Sequence, residues 1–203
     1  MITLNSYEGK NIDIAKDKCL MELNLRESDV YFKEEQVDSS LFKSKKAVVL
    51  AISKKEIISF IKEFIKNLST NMGININCEI RFDNTNINVL LISDNNNILI
   101  GKDGKTLNSI QLILRQAMKE ISQFGLKLVV DVGNYKFRKS KRLELEIKNI
   151  CEEINNSKVE VKLDPMNSFE RRIVHNIVSE YENLSSISEG VEPNRYTIIK
   201  YKD

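Results

Sequence analysis

Apolar and polar positions along this chain follow two periods, and the switches between them mark out three units. The first, residues 1–52, opens with an apparent strand from Ile2 to Tyr7. Ile12, Ala15, Cys19 and Leu23 then recur three or four apart, which predicts a helix over about residues 11–24. Two alternating segments, 30–36 and 47–52, predict strands joined by a polar loop from Val37 to Lys46. The expected order is β-α-β-β.

The second unit, residues 53–133, starts on a chemical signal. Ser53-Lys-Lys-Glu56 is a capping box, in which the serine oxygen accepts an orphan backbone N–H and the glutamate reaches back to the cap. Ile57, Ile58, Ile61, Phe64, Ile65 and Leu68 form the apolar stripe that follows. Strands are predicted over 74–82 and 87–93, around the turn-forming Asp83-Asn-Thr-Asn86. A short turn over 94–98 leads to Gly101-Lys-Asp-Gly104, a long helix over 105–124 follows, and a strand over 126–132 closes an α-β-β-α-α-β unit. In the third unit, residues 134–203, Leu143, Ile147, Ile150, Cys151 and Ile154 give the apolar face of an opening helix. A strand over 159–163 comes next. A second capping box, Asn167-Ser-Phe-Glu170, opens a helix to about residue 181, and strands near 185–188 and 196–201 complete α-β-α-β-β. The fold class expected is therefore α+β, in three small domains.

Composition narrows the chemistry. The longest apolar run, Ala47–Ile52, is far short of the roughly 20 residues needed to cross a bilayer. The opening residues lack the pattern of a secretory signal, so a cytoplasmic protein is expected. Cys19, Cys78 and Cys151 are far apart and odd in number; neither disulfides nor a metal site is expected, and no cofactor. Net charge is only +2, but it is unevenly spread: −1 over 1–52, +2 over 53–132, +3 over 133–163 and −2 over 164–203. The excess peaks at residues 136–142, where Lys136, Arg138, Lys139, Lys141 and Arg142 are five basic residues of seven. Such a run is a candidate phosphate-contacting face, or a solvated helix face.

Two motifs carry candidate chemistry. Gly101-Lys102-Asp103-Gly104, followed by Lys105, sets two glycines three apart immediately before a helix. The backbone can turn tightly there, and the free N–H groups and positive dipole end of the helix face whatever lies against the loop. The KH module clamps single-stranded backbone with such a GxxG loop. Ile98, Ile100 and Ile110 are candidates for the apolar floor beside it. The GxxxxGK[ST] spacing of a nucleotide-binding loop is absent. The second motif is Arg171-Arg172-Ile-Val-His175, with the only histidine of the chain. Arg171 and His175 are four apart and project from one helix face. No nucleophile or carboxylate pair accompanies them, so phosphate contact and base stacking are expected rather than catalysis. A buried, hydrogen-bonded histidine is the structural alternative.

The run Leu163–His175, then Ser188-Glu-Gly190 and Glu192-Pro-Asn-Arg195, resembles the C-terminal RxxxH domain of the Jag family, also called KhpB or EloR. Ile100–Leu107 through Gln111, with Val130-Asp-Val-Gly133, resembles that family's type II KH domain, and residues 1–36, with Glu8-Gly-Lys10, resemble its Jag-N domain. Two departures stand out: Ser39–Lys46 replaces a Gly-rich basic turn, and no charged linker precedes Ser53. The resemblance implies a bacterial cytoplasmic protein that binds single-stranded RNA, as an RNA chaperone or post-transcriptional regulator. It implies a small single-domain KH protein as partner and links to cell elongation and peptidoglycan homeostasis. Homo-oligomerisation and an indirect association with the membrane insertase or cell-wall machinery stay open. By motif, Gly101–Gly104 form the KH loop, and Arg171 and His175 the signature pair. The rival expectation is a protein-interaction adapter with weak or vestigial RNA binding.

Overall fold

A computed structural model describes residues 2, 4–37 and 46–202, and the chain divides into two compact units, Met1–Gly133 and Asn134–Asp203. The body of the loop expected between Val37 and Lys46 lies outside the described residues. Both units are α+β.

The first unit carries two three-stranded sheets. Strands β1 (Asn5–Gly9), β2 (Val30–Val37) and β3 (Lys46–Ser53) form an antiparallel sheet in the order β1-β3-β2. Helix α1 (Ile12–Leu23) is capped by the Asn11 side chain, which accepts from the Ile14 N–H at 2.9 Å, and ends on Asn24 in the left-handed conformation. Tyr7, Cys19, Val30 and Ala51 form its buried core. Gly9 lets the strand pass close to this helix, because a Cβ there would meet the Ala15 nitrogen at 2.6 Å.

Ser53 is both the last residue of β3 and the N-cap of α2 (Lys54–Met72), so no linker separates the first half of the unit from the second. The capping box forms as expected: the Ser53 Oγ accepts from the Glu56 N–H at 3.1 Å, and Glu56 accepts from the Ser53 N–H at 2.9 Å. The boundary expected at residues 52/53 thus falls inside one compact unit. Lys54 Nζ lies 5.7 Å from the Tyr31 ring centroid and 5.6 Å from that of Phe82, tying the halves together. Beyond α2, β4 (Ile76–Asp83) and β5 (Asn86–Ser93) pair antiparallel, and β5 pairs parallel with β6 (Lys127–Val132). Helices α3 (Asn96–Ile100) and α4 (Lys105–Ala117) connect β5 to β6. The order is α-β-β-α-α-β, with two local differences from expectation. The short turn over 94–98 is mostly the helix α3. The long helix expected over 105–124 breaks at Met118 (φ −109°, ψ 24°) and continues as a 3₁₀ segment, Lys119–Phe124.

The second unit begins with α5 (Tyr135–Ser157) and ends with the hairpin β8 (Leu184–Glu189) and β9 (Tyr196–Tyr201). The strand expected over 159–163 is reduced to β7 (Val161–Lys162), at the β9 side of the sheet order β7-β9-β8. Helix α6 (Ser168–Val178) carries the second capping box. Ile147, Cys151 and Ile154 of α5 pack with Val174, Ile177 and Val178 of α6 and with Leu184 and Ile199 of the sheet. Among the described residues no helix is long and apolar enough to cross a membrane.

Candidate nucleic-acid interface

The Gly101–Gly104 loop is built from backbone conformations that most residues avoid. Gly101 sits at φ +69°, ψ −176°, a region reserved almost wholly for glycine. A Cβ there would overlap the Thr106 side chain and come within 3.0 Å of the Thr106 nitrogen. Asp103 (φ +56°) and Gly104 (φ +83°) are left-handed as well. The Gly101 N–H donates to the Asn97 carbonyl at 2.8 Å, which fixes the loop to α3. Lys102, Asp103 and Lys105 are exposed while Gly104 is buried, so the charged side chains stand around a tightly turned backbone.

The helix that follows starts without a side-chain cap. The N-cap side chains of α1, α2 and α6 accept a backbone N–H of their helix, whereas the N-cap residues of α4 and α5, Gly104 and Asn134, make no such side-chain bond. Orphan N–H groups at such a turn suit an anion. These are also the helices that open on the lysines singled out by charge: Lys105 on α4 and Lys136 on α5.

The apolar candidates separate. Ile98 is 44% exposed and Ile100 half-buried, so both present surface beside the loop. Ile110 departs from expectation: at 4% exposure it belongs to the core with Leu107 and Leu114 and offers a ligand almost nothing. Helical periodicity alone does not separate a groove floor from the core beneath it.

The basic run on α5 separates too. Arg138 and Arg142 are exposed, and Lys136 is half-buried. Lys139 instead lies 2.7 Å from Glu170, the glutamate of the α6 capping box. One oxygen of Glu170 takes Lys139 while the other accepts the Asn167 N–H at 3.0 Å. Lys139 therefore joins α5 to the start of α6.

The Arg171/His175 pair departs furthest from expectation. Arg171 is buried; its Nη1 donates to the Met166 carbonyl at 2.7 Å and pairs with Glu192 at 2.9 Å. Both ring nitrogens of His175 are engaged, Nδ1 with the Ser186 Oγ at 2.7 Å and Nε2 with the Ser188 Oγ at 2.8 Å. Ser188 in turn meets the buried Thr197 hydroxyl at 3.0 Å. Neutral imidazole has one donor and one acceptor, so one serine donates and the other accepts. Burial lowers the ring's affinity for a proton, and Arg171 lowers it further. The pair thus knits α6 to the strands and to the 166 turn. Of this motif only Arg172 faces outward. The partners Ser186, Ser188, Thr197 and Met166 carry no sequence signal that ties them to Arg171 or His175.

An α-β-β-α-α-β unit with its GxxG loop between two helices, followed by the α-β-α-β-β unit, defines a KH domain followed by an RxxxH domain. The KhpA/KhpB KH domain family model matches residues 58–132. The model of the RxxxH domain, named for an arginine and a histidine with three residues between them, matches residues 141–201. RNA-binding protein KhpB of Clostridium symbiosum is 31% identical over 207 residues, spanning 100% of this chain and 92% of that protein. RNA-binding protein KhpB of Bacillus subtilis (strain 168) is 24% identical over 200 residues, 96% of each chain. The chain belongs to the KhpB family.

Proposed function

We propose that this protein binds single-stranded RNA, with the Gly101–Gly104 loop and the first turn of α4 as its main contact. One observation carries the reading: an exposed, glycine-dependent loop, flanked by Lys102 and Lys105, opens directly onto an uncapped helix N-terminus. The names of the relatives support it. Arg138 and Arg142 on α5 and Arg172 on α6 add exposed cationic contacts. Arg171 and His175 support that surface from within instead of touching the ligand.

On this reading the protein acts in the cytoplasm without doing covalent chemistry, as an RNA chaperone or post-transcriptional regulator. A small single-domain KH protein is its proposed partner, and cell elongation and peptidoglycan homeostasis its proposed physiological setting. The test is crosslinking to RNA in cells followed by sequencing, with Lys102→Asp as the control. That variant sets a second carboxylate beside Asp103 against the phosphates. RNA should be recovered with the parent and largely lost with the variant; equal recovery removes the loop from the mechanism. The adapter reading is favoured by one feature, the apolar Leu112 and Ile113, 66% and 58% exposed on α4. It would be upheld by a parent that crosslinks to no RNA.

A further inference from the structure

The α4 helix carries a second set of polar residues, on the flank that faces the β6 edge. Asn108, Gln111 and Arg115 are spaced three and four apart, so they form one stripe running away from the loop. Two of them reach the strand. The Gln111 Oε1 accepts the Val130 N–H at 2.9 Å, and an Arg115 Nη donates to the Leu128 carbonyl at 2.8 Å. β6 is the outermost strand of its sheet, and its Lys127 N–H is turned inward to the Thr85 carbonyl. Leu128 and Val130, one and three residues on, therefore turn their backbone groups to the open edge. The next outward group, the Val132 N–H, is taken by the Asp131 carboxylate at 2.8 Å.

A strand edge is ordinarily a row of free donors and acceptors. Here side chains take three of those groups, the Leu128 carbonyl and the Val130 and Val132 N–H, so bases laid between α4 and β6 meet side chains at these atoms in place of backbone. Selection passes to the side chains that line the edge. Arg115 is exposed, and guanidinium has several donors and no acceptor. The Leu128 carbonyl uses one donor and fixes the plane of the group; the rest of the fork is held ready at the far end of the stripe. From Lys105 to Arg115 the helix rises roughly 15 Å at about 1.5 Å per residue. That is a fair match to the roughly four nucleotides a GxxG loop clamps.

We propose that Arg115 is the base-selecting residue of this interface and that it favours guanine. Guanine is the base whose Hoogsteen edge offers two neighbouring acceptors, O6 and N7, with no donor to oppose an arginine fork. Adenine sets an amino donor beside N7, and uracil offers no such acceptor pair. The inference rests on the RNA-binding reading above but makes its own claim about sequence preference.

The test uses the full chain and fluorescent tetraribonucleotides: an all-uridine strand, and strands with a single guanine, adenine or cytosine at each position. The parent should bind one guanine strand about ten-fold tighter than the all-uridine strand, the scale of one good bidentate contact. Arg115→Ala and Arg115→Lys should both lose that margin and bind the guanine strand no tighter than the all-uridine strand. The lysine variant keeps the charge and a donor for Leu128, so it separates base reading from packing, and thermal melts of both variants check the fold. A guanine margin that survives in Arg115→Ala, or a parent with no guanine margin, overturns the proposal. All-uridine binding that depends on Lys102 would still uphold the RNA-binding reading in that event. A parent that binds no strand overturns both.

Discussion

Single residues in this protein divide into those that shape a surface and those that present one. Gly101 shapes. Gly101→Ala would force a Cβ into the Thr106 side chain at a backbone angle other residues avoid, at a cost of about 1–3 kcal/mol. A lower melting temperature together with lost RNA affinity is the expected outcome; a variant that melts and binds like the parent would show that the loop conformation is dispensable. Lys102 presents, so Lys102→Asp should lose affinity with melting unchanged. Arg171 shapes as well. Arg171→Ala deletes the donor to Met166, while the Glu192 left behind is 58% exposed and rehydrates. A destabilisation of about 1–2 kcal/mol is expected from the lost hydrogen bond, with KH-loop binding of short RNA intact. His175 adds a pH signature. Its folded form takes up a proton at lower pH than the ordinary 6.5 of the unfolded chain. The contribution is therefore fully present well above pH 6.5 and drains away between that value and the lower folded one, because there the unfolded chain binds the extra proton. Urea melts across this window should lose stability on acidification, and His175→Asn should flatten the loss. An identical slope in both proteins would refute the half-buried, neutral ring.

Elements were legible from the chain to the extent that their ends carry chemistry. The starts of α2 and α6 were plain because Ser53 and Asn167 each reach a backbone N–H within three residues of themselves, while α1 was read from its apolar spacing. The break at Met118 was not, since Leu107, Ile110, Leu114, Ile121 and Phe124 keep a helical rhythm straight through it. The shortness of β7 was hidden for a related reason: Val159–Leu163 has a strand's alternation, but only Val161 and Lys162 pair in register with β9, and Leu163 adds a single N–H to the Thr197 carbonyl. The loop and its exposed lysines could be read locally. The inward turn of Arg171, His175 and Lys139 could not, because it depends on Met166, the two serines and Glu170, which only the folded chain brings near. The α6 start now has a double role that can be measured. Asn167→Ala should cost about 1 kcal/mol as a lost cap. Glu170→Gln keeps an oxygen for the cap but drops the charge that holds Lys139, so a smaller loss is expected, and it should shrink further when Lys139 is already glutamine. Full additivity of those two changes would mean that the Lys139–Glu170 contact contributes nothing.

At the scale of the whole molecule the question is how so modest a net charge can support binding to a polyanion. The +2 total matters less than where exposed cations stand, because phosphate contacts act through counterion release at close range. Lys102 and Lys105 at the loop, and Arg138, Lys141, Arg142 and Arg172 in the second unit, are the exposed cations of the two motifs and the basic run; Lys141 pairs with Glu144 one turn along α5, Arg171 is spent inside the fold and Lys139 on Glu170. If about four to six phosphates are neutralised, the slope of log affinity against log salt should be roughly −3 to −4, at about −0.7 per contact on a single strand. The structure then sorts substitutions that look alike in sequence. Changing Lys102 and Lys105 together to glutamine should flatten the slope by about 1.4, and Arg142→Gln by about 0.7. Lys139→Gln should leave the slope unchanged while lowering the melting temperature of the second unit. Affinities measured across a salt series for these three variants and the parent, on one long single-stranded RNA, separate the cases. A flattened slope in Lys139→Gln would return that lysine to the RNA face, and a parent slope near zero would leave the cations without a phosphate role and favour the adapter reading.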